Sequence, residues 1–222
     1  ISVGKMFKTC MDINKSQNIY GLNSSDDVVD PHLTKNTEWG AVAYLSISKY
    51  GKENEEIWIN NNPNYLTGRA GNSVSEADNP NSGSNEYNSI NGQKASSTGN
   101  VYGVYDMSGG ACERVAAFID NSYIDNIESN TYLFGKEMID ESKINPKYVD
   151  IYSVGKEDSI ASNYVKNANK YGDAIYETSI TADASVGGWF GDWTGMPYGA
   201  STYFLRSAGY FEETYAGVFF IT

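Results

Sequence analysis

Asn100-Val-Tyr-Gly-Val-Tyr-Asp-Met-Ser-Gly-Gly-Ala-Cys-Glu-Arg-Val-Ala-Ala117 interleaves apolar and aromatic side chains with glycines and two carboxylates, Asp106 and Glu113. The order reads as a short strand, a glycine turn and a second buried segment. Tyr102, Val104, Tyr105 and Met107 are expected to alternate across or beneath a sheet.

Downstream of it, residues 119–158 mix short apolar pieces, Tyr132-Leu133-Phe134 and Tyr148–Tyr152, with Asn and Asp, and read as an insertion on a core. Ser159 is placed to cap a helix over Ile160–Tyr171, with Gly172 ending it. Strand Phe204–Arg206, a loop through Glu213 and strand Ala216–Ile221 read as a hairpin. Val218-Phe219-Phe220-Ile221 is apolar without alternation, the pattern of a strand buried on both faces, so the hairpin is expected to insert between other elements. Trp189, Phe204 and Phe219 are assigned to the core.

Upstream, Val3, Met6, Phe7, Met11 and Ile13 have the spacing of a short helix, and Ile19–Lys35 reads as loop, with turn signals at Asn23–Asp27 and Asp30-Pro31. Asn36 or Thr37 is expected to cap a helix carrying Trp39, Val42, Ala43, Ile47 and Tyr50, with Gly51 as its left-handed terminator. Glu55–Asn60 reads as a short strand. Asn61–Gly99 is rich in Asn, Ser and Gly; it reads as solvated loop, although Glu76, Asp78 and Glu86 are oxygen donors of the kind calcium takes, at spacings that match no EF-hand.

Composition narrows the function classes. The chain has 222 residues, 40% apolar and 14% aromatic, enough to bury a core as one domain over residues 1–222. Its 28 acidic and 16 basic residues leave a formal charge of −12, which repels phosphate backbones and anionic lipid, so neither nucleic acid nor a membrane surface is expected as partner. No run of apolar residues is long enough to cross a membrane as a helix. The chain begins at Ile1 without Met, as one with an upstream portion or anchor outside it would. Cys10 and Cys112 admit two readings, a pair of buried thiols or one long-range disulfide. The single histidine, His32, has no serine or cysteine nucleophile in a recognisable elbow and reads as structural or solvent-facing. The 18 tyrosines among many Gly, Asn and Ser suit recognition loops as well as a loop-rich scaffold.

The opening stretch resembles the central motif of the formylglycine-generating-enzyme, or sulfatase-modifying-factor, superfamily, N-V-(W/F/Y)-G-L-(W/Y)-D-M-x-G-N-V-W-E-W. Asn36-Thr-Glu-Trp-Gly-Ala-Val-Ala-Tyr44 is similar to that superfamily's (S/T)-E-x-E-W-E-x-A-A helix. Phe204-Leu-Arg206 with Ala216-Gly-Val-Phe-Phe220 resembles its terminal hairpin. The resemblance covers 34–222 and implies an α+β, C-type-lectin-like fold: a twisted, mainly antiparallel sheet, about two helices and much irregular loop. It is closest to the non-catalytic branch found in surface or pilin-like proteins of gut Firmicutes and in variable proteins of diversity-generating retroelements.

The departures from the catalytic pattern decide the expected activity. The superfamily's oxidases carry paired cysteines where Arg206–Tyr215 has none, and its iron enzymes need histidines that this chain lacks; no enzyme is therefore expected. Asp106 and Glu113 are the conceivable acid–base pair and are assigned instead to turn amides. The resemblance implies a calcium ligand at Glu113, with Gly110 replacing the Asn that precedes it in the family, and places Cys112 at a core position. The expected function is a recognition module on the surface of a bacterium, or encoded by a phage, that binds a protein or carbohydrate. Its face is assigned to Trp193, Met196, Tyr198, Tyr203, Tyr210, Phe211, Glu212, Glu213 and Tyr215. If a retroelement diversifies the gene, Met196, Glu212 and Glu213 are invariant scaffold, because adenine-directed changes in AAC-type codons yield neither Met nor Glu. The alternative is a structural pilin-like or adhesin subunit.

Overall fold

A computed structural model describes residues 1–15, 19–22, 29–74, 84–124 and 135–222. Asn23–Asp27, Glu76, Asp78 and Tyr132–Phe134 fall wholly or mainly outside the described residues. The fold is α+β, with four α-helices and a six-stranded mixed sheet among the described residues. None of these helices is long and apolar enough to cross a membrane.

The helices form where capping and burial agree. Ser2 caps α1 (Val3–Met11) by accepting the Lys5 N–H, and Val3 and Phe7 are buried. α2 (Asn36–Ser46) starts after Lys35, whose N–H is held at 2.9 Å by the Glu38 carboxylate. Asn36 is thus the first helical residue and not the cap, and its carboxamide is buried. The helix stops at Ser46, well before Gly51, which is not left-handed; a Cβ there would come within 2.2 Å of the Leu45 carbonyl oxygen. α3 spans Lys136–Ile144. α4 (Ile160–Lys166) begins at Ser159 as expected but ends short of Tyr171. There the Asn167 side chain brackets Ser153, accepting its N–H at 2.9 Å and donating to its carbonyl at 2.8 Å, and turns the chain away.

The strands are β1 (Glu113–Asp120), β2 (Asp150–Ser153), β3 (Asp183–Ser185), β4 (Thr194–Gly195), β5 (Tyr203–Ser207) and β6 (Gly217–Ile221), in the order β2-β1-β5-β6-β4-β3. The β1–β2 and β4–β6 pairs are parallel and the other three antiparallel, so the sheet is mixed where a mainly antiparallel one was expected. The physical cause at one edge is the crossover through α3 that separates β1 from β2, since a parallel pair requires such a connection. The segment 119–158, read as an insertion, therefore supplies a strand of the sheet itself.

β1 alternates between two cores. Val115, Ala117 and Ile119 join Trp39, Tyr152, Phe204 and Phe219, while Ala116 and Phe118 join Val3, Phe7, Met138 and Tyr203. Phe204 and Phe219 are buried as expected, but Trp189 is 42% exposed. β6 is buried throughout and lies between β5 and β4. Its register against β5 slips between Arg206–Ile221 and Ser207–Gly217. Backbone groups in the slip are taken by side chains: the Trp39 indole N–H donates to the Val218 carbonyl at 2.8 Å, and Asp192 accepts the Phe219 N–H at 2.8 Å.

The opening stretch is not a strand before Glu113. Tyr102 is 93% exposed, Val104 is exposed and Met107 is buried. Gly109, at φ +73°, lies so close to Ile59 and Asn60 that a Cβ would come within 2.4 Å of Ile59 Cγ2. The chain is pinned there by Asn60 N–H to Ser108 O at 2.8 Å and Gly110 N–H to Asn60 O at 2.7 Å. Asn60 bridges to Gly109, and the expected strand Glu55–Asn60 is consequently an extended segment spent on loop partners, with Ile57 and Ile59 buried.

Candidate functional site

Trp193, Glu212, Tyr215 and Phe220 line an open cleft of about 350 Å³ beside the C-terminal hairpin. Trp193 reaches it because its backbone is built in, donating to the Tyr215 carbonyl at 3.1 Å and accepting the Ile221 N–H at 3.0 Å. Tyr215 ends a single 3-10 turn, Glu213–Tyr215, and its ring meets Trp193 edge-on at 6.4 Å. Phe220 forms the floor with Ile59, Ala208 and Ala216.

The aromatic surface continues along the loop between β5 and β6. The Tyr210 N–H bonds the Gly110 carbonyl at 2.8 Å, so the glycine turn of the opening stretch anchors this loop. The Tyr210 ring packs edge-on against Phe211 at 5.2 Å and Tyr65 at 5.5 Å. Tyr65, Phe211 and Tyr215 are all exposed. Tyr65 was missed in the sequence; its only signal is an aromatic in an Asn-Pro-Asn turn, and nothing local places it opposite Tyr210.

The structure thus brings together Trp193, Tyr210, Phe211, Glu212, Glu213 and Tyr215 and separates the rest of the expected face. Met196 is 2% exposed and lies in the main core; Tyr203 is 7% exposed and packs with Phe7, Phe118 and Met138. Both are corrected to core residues, because strand alternation and the β4–β3 pairing turn their side chains inward. Tyr198 is exposed but lies beyond the other end of β4, in a turn whose carbonyls at Pro197 and Gly199 are held by Asn163 and Asn121.

The carboxylates of the opening stretch have separate roles. Asp106 accepts the Gly68 N–H on both oxygens at 3.0 Å and Asn60 Nδ2 at 2.8 Å, as a turn-binding group does. Burial pushes Glu113 up to about 7, and the neighbouring Asp106 charge adds to the shift. Among the described residues no group of three or more His, Cys, Asp or Glu is placed to hold a metal ion. Calcium takes about six to eight oxygen ligands, and the Asp106 oxygens already accept N–H donors.

Cys10 and Cys112 are unbonded; Cys112 is exposed and Cys10 half-buried, so the buried-thiol expectation is corrected as well. Although the residue as a whole is exposed, partial desolvation of its sulfur, then the Glu212 carboxylate, holds the Cys112 thiol above its usual pKa despite Arg114, so it remains a neutral thiol at pH 7. His32 bonds the Asp30 carbonyl at 2.7 Å and Glu38 Oε1 at 2.9 Å. Burial opposes its protonation, but these partners outweigh that and raise its pKa. It braces the start of α2.

Comparison of the chain with protein-family models, with curated proteins and with solved structures finds no match.

Proposed function

We propose that the chain is a non-enzymatic recognition module of C-type-lectin-like fold, of the non-catalytic formylglycine-generating-enzyme type, displayed at a bacterial surface. The observation that carries the reading is the cleft of Trp193, Glu212, Tyr215 and Phe220 beside the exposed rings of Tyr65 and Phe211, with half-buried Tyr210 packed between those two. Aromatic rings held by backbone bonds on a hairpin offer contact area at small entropic cost, and exposed aromatics of this kind are where binding energy concentrates. The acidic rim favours a neutral or basic protein or carbohydrate ligand over an anionic one.

The test is binding on protein and glycan arrays by the full chain and by Trp193→Ala, Phe211→Ala and Tyr215→Ala variants. Loss of the same ligands in all three, with melting temperature retained, supports the cleft. Binding unchanged in all three moves the site elsewhere. Sequencing the 3′ end of the gene in related isolates tests diversification: substitutions at adenine-bearing codons with Glu212 and Glu213 constant support it, and uniform variation removes it.

A further inference from the structure

A second cleft, of about 420 Å³, opens on the other side of β6 and is lined by Ile47, Glu53, Asn54, Trp189 and Phe190. We infer that it binds an organic cation, an alkylammonium group of the lysine or choline kind.

The wall is aromatic and fixed. Trp189 and Phe190 are each 42% exposed, yet both lean on the fully buried Phe219, edge-on at 5.3 Å and stacked at 6.1 Å. Tyr44 meets Trp189 edge-on at 6.5 Å and completes the support. One face of each ring is spent on the protein, and the exposed remainder borders the cleft. Phe190 is held at φ +62° and Glu53 at φ +56°, left-handed backbone that costs free energy at a non-glycine residue. Two strained residues therefore line one small cleft from two distant parts of the chain.

The chemistry then selects the ligand. Aromatic faces carry negative electrostatic potential and attract ammonium groups. Glu53 adds a formal charge at the rim, and Asn54 a carboxamide for a neighbouring hydroxyl or amide. The nearby Lys52 ammonium donates to the Lys94 carbonyl at 2.9 Å and does not line the cleft. The net charge of −12 sets the long-range field in the same direction. An apolar ligand would be better served by a deeper cavity, and an anion would meet carboxylate and ring faces.

The inference stands apart from the hairpin cleft, since Phe219 supports one and Phe220 floors the other. Choline and Nα-acetyl-lysine methylamide are titrated into the full chain by calorimetry, with 3,3-dimethylbutanol as the uncharged isostere of choline. At least one cation is expected to bind about tenfold more tightly than the isostere. Trp189→Ala and Phe190→Gly are expected to reduce that binding about tenfold or more, and Glu53→Gln to weaken it and lessen its salt dependence. Phe190→Gly relieves the backbone strain, so its melting temperature is retained and loss of binding is not loss of fold. The inference is overturned if neither cation binds, if the isostere binds equally, or if binding survives Trp189→Ala and Phe190→Gly. Cation binding lost only in Trp193→Ala or Tyr215→Ala would return the ligand to the hairpin cleft and overturn it too.

Discussion

Asp192 Oδ2 accepts the Phe219 N–H at 2.8 Å, inside the register slip of β6, and this bond fixes both aromatic clefts at once. Trp189 and Phe190 precede Asp192 and pack on Phe219; Trp193 follows it and shares a cleft with Phe220. The carboxylate lies so close to Gly217 that a Cβ there would come within 2.0 Å of Asp192 Oδ2. Asp192 Oδ1 has no hydrogen-bond partner among the described residues.

Burial, then the charge of Glu56, raises the Asp192 pKa well above the usual carboxylate range. Glu56 itself is pushed up to about 7 by burial, with Lys52 opposing. Both acids bind protons more tightly folded than unfolded, so their contribution is most favourable at acid pH. It is lost as pH rises from the unfolded carboxylate values through the folded ones. Asp192→Asn is expected to flatten this dependence, gaining on the wild type as pH rises above the unfolded carboxylate range in urea unfolding. Asp192→Ala removes the acceptor for Phe219 and is expected to cost about 1–3 kcal/mol at acid pH, a loss that shrinks as pH rises and the wild-type carboxyl is driven to ionise. Equal loss in both variants at pH 7 would show that Asp192 is ionised and stabilising.

Tyr152 carries a different burden. Its hydroxyl accepts from Asn36 Nδ2 at 2.7 Å and donates to Asp173 Oδ2 at 2.7 Å, while Asn36 Oδ1 accepts Arg206 Nε at 2.8 Å. Arg206, wholly buried, donates further to the carbonyls of Asp173, Ala174 and Phe220, and burial pushes its pKa down to about 10. The network joins α2, β2, β5 and β6 across the main core. Tyr152→Phe leaves Asn36 and Asp173 short of a partner and is expected to cost about 1–3 kcal/mol. Arg206→Ala should cost about 3–5 kcal/mol or prevent folding. A Tyr152→Phe variant as stable as the parent would mean that water replaces the hydroxyl.

The terminal hairpin was legible because a five-residue apolar strand has one reading when it lacks alternation. α1 and α4 were legible from spacing and caps. What local sequence could not supply was pairing at a distance. The opening stretch has the composition of a strand, but Asn60 takes its backbone groups near Ser108 and Gly110, so it becomes the anchor for Tyr210. Asn36 looks like a cap by type, yet Arg206 and Tyr152 draw its carboxamide into the core. Tyr65 and Glu53 reach their clefts from loops whose partners lie more than a hundred residues away. Met196 and Tyr203 were misplaced for the same reason: which side of a short strand faces the core is set by the neighbours it pairs with.

The thiols give a direct chemical check. Cys10 and Cys112 are unbonded, half-buried and exposed respectively, and desolvation of the sulfur raises the pKa of each. A thiol reagent is expected to modify Cys112 before Cys10 in the folded chain, with both titrated after denaturation without reductant. The Cys112 rate should rise steeply only above the usual thiol pKa, because its neutral form dominates at pH 7. A denatured chain with no free thiol would instead establish a Cys10–Cys112 disulfide.

Glu113 tests what became of the calcium ligand that the motif implies. Its carboxylate is raised to about 7 by burial and by Asp106, whose oxygens already accept the Gly68 N–H and the Asn60 amide. A resident divalent cation would compete with those donors, and it would depress the Glu113 pKa because it favours the charged form. The melting temperature is therefore expected to be indifferent to a chelator and to added calcium at pH 7. Glu113→Gln, which keeps the shape and removes the buried charge, should leave the chain at least as stable above pH 7, where the wild-type carboxylate ionises against its surroundings. A fall in melting temperature with chelator, reversed by calcium and abolished in Glu113→Gln, would establish the ion and reverse this assignment.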